Sequence, residues 1–543
     1  MNSTRRKAVF LITVLLSAYF VGGCGGQGRS GGEAQDYAPP AELGETIGSL
    51  VSILVPEPVP VEGLGLVAGL EGTGSTECPP QIRSYLRQYI LRQLPAKTRL
   101  DVDEFINNPN TAVVSVQGVI PAIASKNEYF DVKVEALTST QTTSLDGGRL
   151  FTSELKISGN LAVNTRISAD AEGPVYIDKI NNTGIDNKTG YILAGGKVLD
   201  EYRIILTLKK PDFAMANQIR NRINGRFNDT AAKAVSSDRV EFIVPSKYKE
   251  QKQRFVSIIA AMHLTQEPVI NNKRINTYVK GLSDSPNKYS NEIALEAIGN
   301  ECLNELGLLL ESSDEKTRLH AGRCMLNLGS DAGLVVLRQI AMDKNSTHRV
   351  EALESITFGA KQNDAVSISG KLLRDDDFRI RLVAYEQLRK LDDVAIKQEF
   401  IGRSFYLERV TQTGYKAVFV SRSGQPRFVL FGAPISCNGN IFVQSGKGDV
   451  IINAPSGQNY VNIIRKHPKR PSVITQLKST FELGDIIRTL CDDPIKEGEK
   501  GRGGLGVSYA DAAALLKQMC DMGVVKAEFH AGPMPKIDLN IKK

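Results

Sequence analysis

The chain contains no tryptophan, and aromatic residues make up only 6% of its 543 positions. Histidine is also scarce, with His263, His320, His348, His467 and His530 as the whole complement. No two of them stand at a metal-ligand spacing, so neither a zinc centre nor a histidine base for hydrolysis finds support. The nucleophile motif G-x-S-x-G is missing, as is the calcium-loop pattern D-x-[DN]-x-[DN]-G. Acidic runs such as "SDAGL" and "DDD" therefore read as helix caps and solvated turns. Seven cysteines occur without a single C-x-x-C, which argues against a metal framework. The net charge of +7 falls to about +4 without Arg5, Arg6 and Lys7, and no basic helix carries interleaved aromatics. Nucleic acid is therefore not an expected partner. These absences leave no catalytic, cofactor-binding or metal-ligating residue to name, and the chain reads as a non-enzyme.

The N-terminus carries a clear address. Three cations precede an uncharged apolar run of sixteen residues, Ala8 to Gly23, and then Cys24. That length suits a signal peptide and is short for a membrane span. "VGGC" is similar to the bacterial lipoprotein box, in which the cysteine is acylated and becomes the new N-terminus. Residues 1–23 are thus expected to be removed, with Cys24 lipidated and residues 24–42 acting as a Gly-rich tether. Gly25 and Gly26, with no Asp after the cysteine, favour the outer membrane, facing the periplasm. An exported chain meets oxidising conditions, so Cys78, Cys302, Cys324, Cys437, Cys491 and Cys520 leave both disulfides and buried thiols open.

"VEGLGLVAGLEGTG" (Val61 to Gly74) looks at first like a phosphate cradle. Gly63, Gly65 and Gly69 give G-x-G-x-x-x-G, one residue longer than the dinucleotide fingerprint, and no helix opens there. A P-loop requires Lys after its last glycine, where this chain has Ser75. The remaining reading is an extended hairpin whose glycines admit another backbone closely. "EGTG" forms its turn, and a helix comes after Pro79 and Pro80 with Ile82, Leu86, Ile90 and Leu94 at helical spacing.

Together with motifs further along the chain, this stretch resembles the flagellar P-ring proteins of the bacterial basal body. "PVEGLGLVAGLEGTGS" is similar to their N-terminal glycine motif, and further resemblances appear in the same order as in the family. They include "SYLRQYILRQLPAKTRLDVDEF" with the strands to Leu137, "TSLDGGRLFTSELK" (Thr143 to Lys156) and "LKKPDFAMANQIRNRINGRF" (Leu208 to Phe227). The last are "VEFIVPSKYKEQKQRFVSIIAAMHL", "TFELGDIIRTL" and "GVSYADAAALLKQMCDMGVVKAEF". The resemblance covers about half the chain. It implies a structural ring subunit, a passive bushing around the rotating rod. Its implied partners are further copies of itself, the rod and L-ring proteins, the membrane through the lipid, and peptidoglycan. This chain differs in its lipoprotein-type start and in "SKNEYFD" (Ser125 to Asp131), which stands where the family has a tight basic turn.

The matched parts also read physically. "RIILTL", then Ala216, Ile219, Ile223 and Phe227 on one helix face behind an Asp212 cap, then "VEFIV", give strand–helix–strand. Ser508 and Asp511 form a capping pair, and Gly523 sits at a helix C-terminus. Residues 286–400 differ in texture, being Leu- and Ala-rich with helical periodicity. Arg318-x-x-Ala321, Arg349-x-x-Ala352 and Arg381-x-x-Ala384 recur at spacings of 31 and 32, each after an acidic turn. Such even spacing is the mark of a HEAT-like α-solenoid.

The expected fold class is α+β: a discontinuous mixed β/α ring-protein core, interrupted by an α-solenoid-like insertion. Its parts are a core at 43–281, helical repeats at 286–400, a β-rich segment at 401–475, closing helices at 476–530 and a tail at 531–543. "RKHPKRP" (Arg465 to Pro471) reads as an exposed basic turn. Ring closure requires one patch to meet a different patch on the next copy. The candidates are the glycine hairpins, with Gly63, Gly65, Gly69, Gly72 and Gly74 in one and Gly147 and Gly148 in the other. The alternative reading is a non-flagellar envelope scaffold, or an adaptor that binds partners through its repeats.

Overall fold

The structure is a computed structural model that describes residues 41–93, 101–159, 166–180, 184–227, 231–467, 470–494 and 503–537. Cys24, the signal segment and most of the tether lie outside the described residues. No helix among the described residues is long and apolar enough to cross a membrane.

The fold opens with a closed antiparallel barrel of six strands. Around it run Val59–Ala68, Thr111–Ile120, Tyr129–Ala136, Thr189–Val198, Ala169–Pro174 and Arg149–Ile157, which returns to the first. Strict alternation in "FDVKVEA" turns Phe130, Val132, Val134 and Ala136 inward, onto Val61, Val67, Val114, Val116, Leu155 and Ile192. The glycine stretch is not a hairpin. It is one ten-residue strand, paired from Val59↔Ile120 to Ala68↔Thr111, and a loop then leads into the helix Pro80–Gln93. Its partners lie far downstream in sequence, where local periodicity carries no information about them.

Beside the barrel, Val51–Leu54, Ile204–Leu208, Arg239–Phe242 and Ala232–Ala234 form a small antiparallel sheet in that order. The barrel is inserted between its first two strands. Asp212 caps the helix Phe213–Phe227, its carboxylate accepting from the Ala214 amide at 2.7 Å. Ala216, Ile219 and Ile223 are buried against the sheet, with Phe227 half-buried beside them. The helix Lys252–Ala261 completes this layer through Phe255, Ile258 and Ile259.

The helical array comes next, and its start lies upstream of residue 286. Pro268–Asp284 leads into the hairpin Lys288–Ile298 and Leu303–Leu309. Two further hairpins, Glu315–Asn327 with Asp331–Met342 and Arg349–Gly359 with Gln362–Leu372, precede the single helix Phe378–Lys390. Residues 396–401, placed in the repeats by the sequence reading, are already a β-strand. Ala321, Ala352 and Ala384 are fully buried, so the helices touch where the side chain is smallest. Each Arg of the motif binds carbonyls of the turn or helix before it. Arg318 donates to Ser312 at 2.6 Å, Arg349 to Ala341 at 3.1 Å, and Arg381 to Asp375 at 2.8 Å. Lys288 does the same toward Leu282 at 2.9 Å. It marks an earlier unit that the sequence conceals, because Lys288 and Asn291 stand where the later units carry Arg and Ala.

Two sheets close the chain. Ile396–Ile401, Phe405–Val410, Arg427–Phe431, Ala417–Val420 and Glu528–Ala531 make a five-stranded mixed sheet, which the C-terminal strand joins last. Ile441–Gln444, Val450–Ala454, Val461–His467 and Arg470–Ser479 make a four-stranded antiparallel sheet. "RKHPKRP" is therefore mainly strand: Arg465 and Lys466 pair with Thr475 and Ile474, the register shifts, and His467 pairs with Arg470, while Arg465 donates to the Leu505 carbonyl. The helices Leu483–Cys491 and Tyr509–Asp521 bury Ile487, Leu490, Leu515 and Met519 against Val443, Ile452 and Ile463. The β-rich segment and the closing helices thus share one core. Cys78, Cys302, Cys324, Cys437 and Cys491 are buried free thiols, and Cys520 is half-buried. Burial pushes the Cys437 and Cys520 thiols up to about 12, which leaves them protonated and inert at neutral pH.

Candidate assembly surface

The seven glycines singled out by sequence divide into two groups. Gly63, Gly65 and Gly148 are buried in the barrel wall. The ladder between Val59–Ala68 and Arg149–Ile157 lapses between Glu62 and Val67. There the glycines let the strand lie directly against Glu154 and Ser153. A Cβ on Gly63 would overlap the Glu154 carbonyl, and one on Gly65 would reach Leu150 at 2.8 Å. A Cβ on Gly148 would overlap Val67 and come within 2.7 Å of Leu70. Close approach is real at these positions, but it occurs within one chain. Half-buried Gly74 has a similar role, its amide donating to the Pro109 carbonyl at 2.9 Å.

Gly69, Gly72 and Gly147 are exposed and have φ of 81°, 81° and 74° in turn. Gly69 and Gly147 have open space where a Cβ would be. Here glycine serves the backbone conformation of a turn. The structure also brings the two glycine segments together at one end of the barrel. Thr143 donates its amide to the Thr73 carbonyl at 2.8 Å, and Thr73 returns a hydroxyl bond to the Ser144 carbonyl at 2.8 Å. Gly72 is held by Asn110 Oδ1 at 3.1 Å. The two hairpins expected as separate patches are therefore one surface.

This barrel end faces the C-terminal unit across a cleft of about 780 Å³. Asp146, next to Gly147, is its electrostatic centre. It accepts from Lys179 at 2.7 Å and from Lys447, while Lys179 also reaches Asp511 at the first turn of Tyr509–Asp521. Burial opposes charge on Asp146, but the two lysines outweigh it and hold the carboxyl below its ordinary value. Asp178 pairs with Arg422 at 3.0 Å, and Asp131 accepts the Gly424 amide at 2.9 Å. Tyr176 and Tyr509 meet with ring centroids 5.8 Å apart. Asp146, Asp178 and Asp131 are spread across the barrel sequence, so nothing local marks them as a set.

A second ionic knot, also unmarked in sequence, ties the layer of Lys252–Ala261 to the array. Glu292 is fully buried and accepts from Arg323 at 2.6 and 2.7 Å, from His320 at 2.5 Å and from Arg254. Arg254 also binds Glu296, and Arg323 reaches Glu351 at 2.7 Å. Burial opposes ionisation of Glu292, yet the adjacent guanidiniums hold its carboxyl well below the usual carboxylate range. No group of three His, Cys, Asp or Glu able to hold a metal is gathered among the described residues.

The comparisons with known proteins converge on one family. The family model described as Flagellar P-ring protein matches residues 47–282. The flagellar P-ring protein of Hydrogenovibrio crunogenus is 28% identical over 259 residues, covering 44% of this chain and 67% of that protein. That of Wigglesworthia glossinidia brevipalpis is 25% identical over 363 residues, 60% of this chain and 90% of its own length. The Sodalis glossinidius protein is 26% identical over 361 residues, 61% and 92% respectively. The family match takes in the whole barrel, the small sheet and the helix Lys252–Ala261, and over these residues the chain is similar to the flagellar P-ring proteins.

Proposed function

We propose that the chain is a structural subunit of the flagellar P ring, a non-catalytic bushing around the rod in the periplasm. The observation that carries this reading is the family match over residues 47–282, which includes every strand of the closed barrel. A closed barrel leaves no sheet edge to slip and gives a stiff wall, as a bushing requires. Partners on this reading are further copies of the chain, the rod and the L ring. Acylation of Cys24 holds each subunit at the membrane, and Cys24→Ser leaves an unprocessed precursor or a protein released by mild washing. Electron microscopy of basal bodies from a deletion strain tests the assignment. Rods without this ring, in cells that do not swim, are expected; a complete ring in the deletion strain overturns it.

The array fits the same reading as a brace. Lys288–Ile298 packs on Lys252–Ala261, and Phe378–Lys390 buries Tyr385 and Leu388 against Val410, Val429 and Phe431. Both ends are covered, as a short solenoid requires. Since the barrel also touches the C-terminal unit directly, the array bridges two bodies already in contact. Residues 286–400 produced alone give a helical circular-dichroism spectrum if the array is autonomous, and an unfolded one if its flanks are needed.

A further inference from the structure

The four-stranded sheet ends in a strand that its own chain leaves uncovered. Arg470–Ser479 is outermost, paired on one side with Val461–His467 and with no strand on the other among the described residues. Ser472, Val473, Ile474, Thr475 and Gln476 are exposed in succession, so neither face is shielded. Val473 is 45% and Ile474 56% accessible. The hairpin also outreaches the sheet: pairing to Val450–Ala454 stops at Arg465, while Ile474 pairs with Lys466 beyond it. Proteins normally blunt an edge strand with inward charges, proline or a cover. From Ser472 to Leu477 this edge has no charge and no proline, and its Val-Ile-Thr run favours further strand pairing.

A second open edge lies elsewhere in the chain. Ile396–Ile401 is the outermost strand of the five-stranded sheet. Phe400 on it is 55% accessible, and Val394 just before it is 89% accessible. The two edges differ in net charge: Lys466 and Lys478 flank the uncovered arm, whereas Asp392, Asp393 and Glu399, against Lys397, leave the second edge net acidic. One edge has an uncharged Val-Ile-Thr run with basic flanks and the other is a mixed, net acidic strand that exposes Phe400, a pair of unlike patches that fit each other.

We propose that Arg470–Ser479 of one copy adds as a sixth strand to the Ile396–Ile401 edge of the next copy, joining the chains head to tail. Main-chain hydrogen bonds supply the adhesion, and Ile474 lies against Phe400, with Val473 on the opposite face of the joined sheet. The contact is heterologous, the type that closes a ring or propagates a filament. The inference rests on the ring reading above for its geometry, and assigns that ring an interface outside the glycine-rich barrel end.

The test uses two single variants of the full chain, Ile474→Cys and Phe400→Cys, under mild oxidation beside the wild type. An equimolar mixture is expected to give a disulfide-linked dimer that neither variant gives alone. Ile474→Asp is expected to weaken self-association at least about tenfold, with an unchanged circular-dichroism spectrum and melting temperature, because the side chain touches little in the monomer. Equal cross-linking of Ile474→Cys alone would mean arm-to-arm pairing and overturns the proposal. Rings visible by electron microscopy without cross-linking in the mixture also overturn it, while leaving the ring assignment intact. Cross-linking in the mixture without rings supports the strand contact and removes the ring reading. If neither rings nor cross-links form, both fall.

Discussion

The barrel and the helical array belong to one chain but are packed by different physics. In the barrel wall, Gly63, Gly65 and Gly148 bring backbone against backbone, and the enclosed core is Val, Ile, Leu, Ala and Phe. In the array, small alanines seat the helices, and charge is buried where it joins the preceding layer, with Arg254, Glu292, Glu296, His320 and Arg323 interlocked. The barrel therefore tolerates no added volume at its crossing point, whereas the array tolerates no loss of a charge. The contrast teaches which kind of substitution each region resists.

The largest effect is expected in the barrel wall. Gly63→Val drives a branched side chain into the Glu154 carbonyl, which cannot rotate aside, and Gly65→Val meets Leu150 and Ser153. Each should exceed the about 1–3 kcal/mol of ordinary overpacking and yield insoluble or molten protein, read by solubility and by loss of a cooperative melt. A folded monomer that only fails to assemble would return these glycines to the subunit interface, where the sequence alone had placed them.

Next comes the array. Glu292→Gln leaves Arg254 and Arg323 without their shared counter-charge and should cost about 3–5 kcal/mol in chemical denaturation. Acid should act in the same direction. The folded carboxyl of Glu292 lies well below its ordinary 4.5. Its contribution is present above that value and is lost as pH falls through the lower folded one. Stability measured downward from pH 5 should therefore fall in the wild type and fall less in Glu292→Gln. An identical slope in both would remove Glu292 from the account.

His263 gives a second pH test in a different window. It is buried between the Glu45 carbonyl at 3.2 Å and Tyr278 at 3.5 Å. Burial, aided by Arg274, lowers its pKa from 6.5 to about 4. The unfolded chain then binds the extra proton first. Stability is complete above pH 6.5 and declines as pH falls toward 4. His263→Gln should flatten the melting temperature between those limits, and an unchanged slope would argue against it.

The smallest effects fall at single local devices. Gly147→Ala meets no neighbour but must hold φ of 74°, a cost of about 1 kcal/mol that leaves the barrel folded. Ser508→Ala removes the acceptor that caps the Asp511 amide at 3.1 Å and should also cost about 1 kcal/mol, read as a small downward shift of the denaturation midpoint. A loss at Gly147 as large as that of Gly63→Val would erase the distinction between turn glycines and wall glycines.

What the sequence determined by itself is whatever a short window can contain. The Asp212 and Ser508 caps, the helix face Ala216–Ile219–Ile223, the alternating strands and the recurring Arg-x-x-Ala of the array all depend on residues a few positions apart. Helical and strand periods are local properties of the backbone, so they are written in spacing. The family could be read for the same reason, since its motifs are short and come in order. Tertiary structure decided which distant segments became neighbours. It paired the glycine strand with strands that arrive only at Thr111 and Arg149, placed Asp146 between Lys179 and Lys447, and gathered Arg254, Glu292 and Arg323 into one buried knot. It also separated the glycines whose missing Cβ admits a neighbouring strand from those that only turn the chain. A glycine has the same letter in both roles, and a buried glutamate the same letter as a solvated one; the difference lies in what the rest of the fold presses against it.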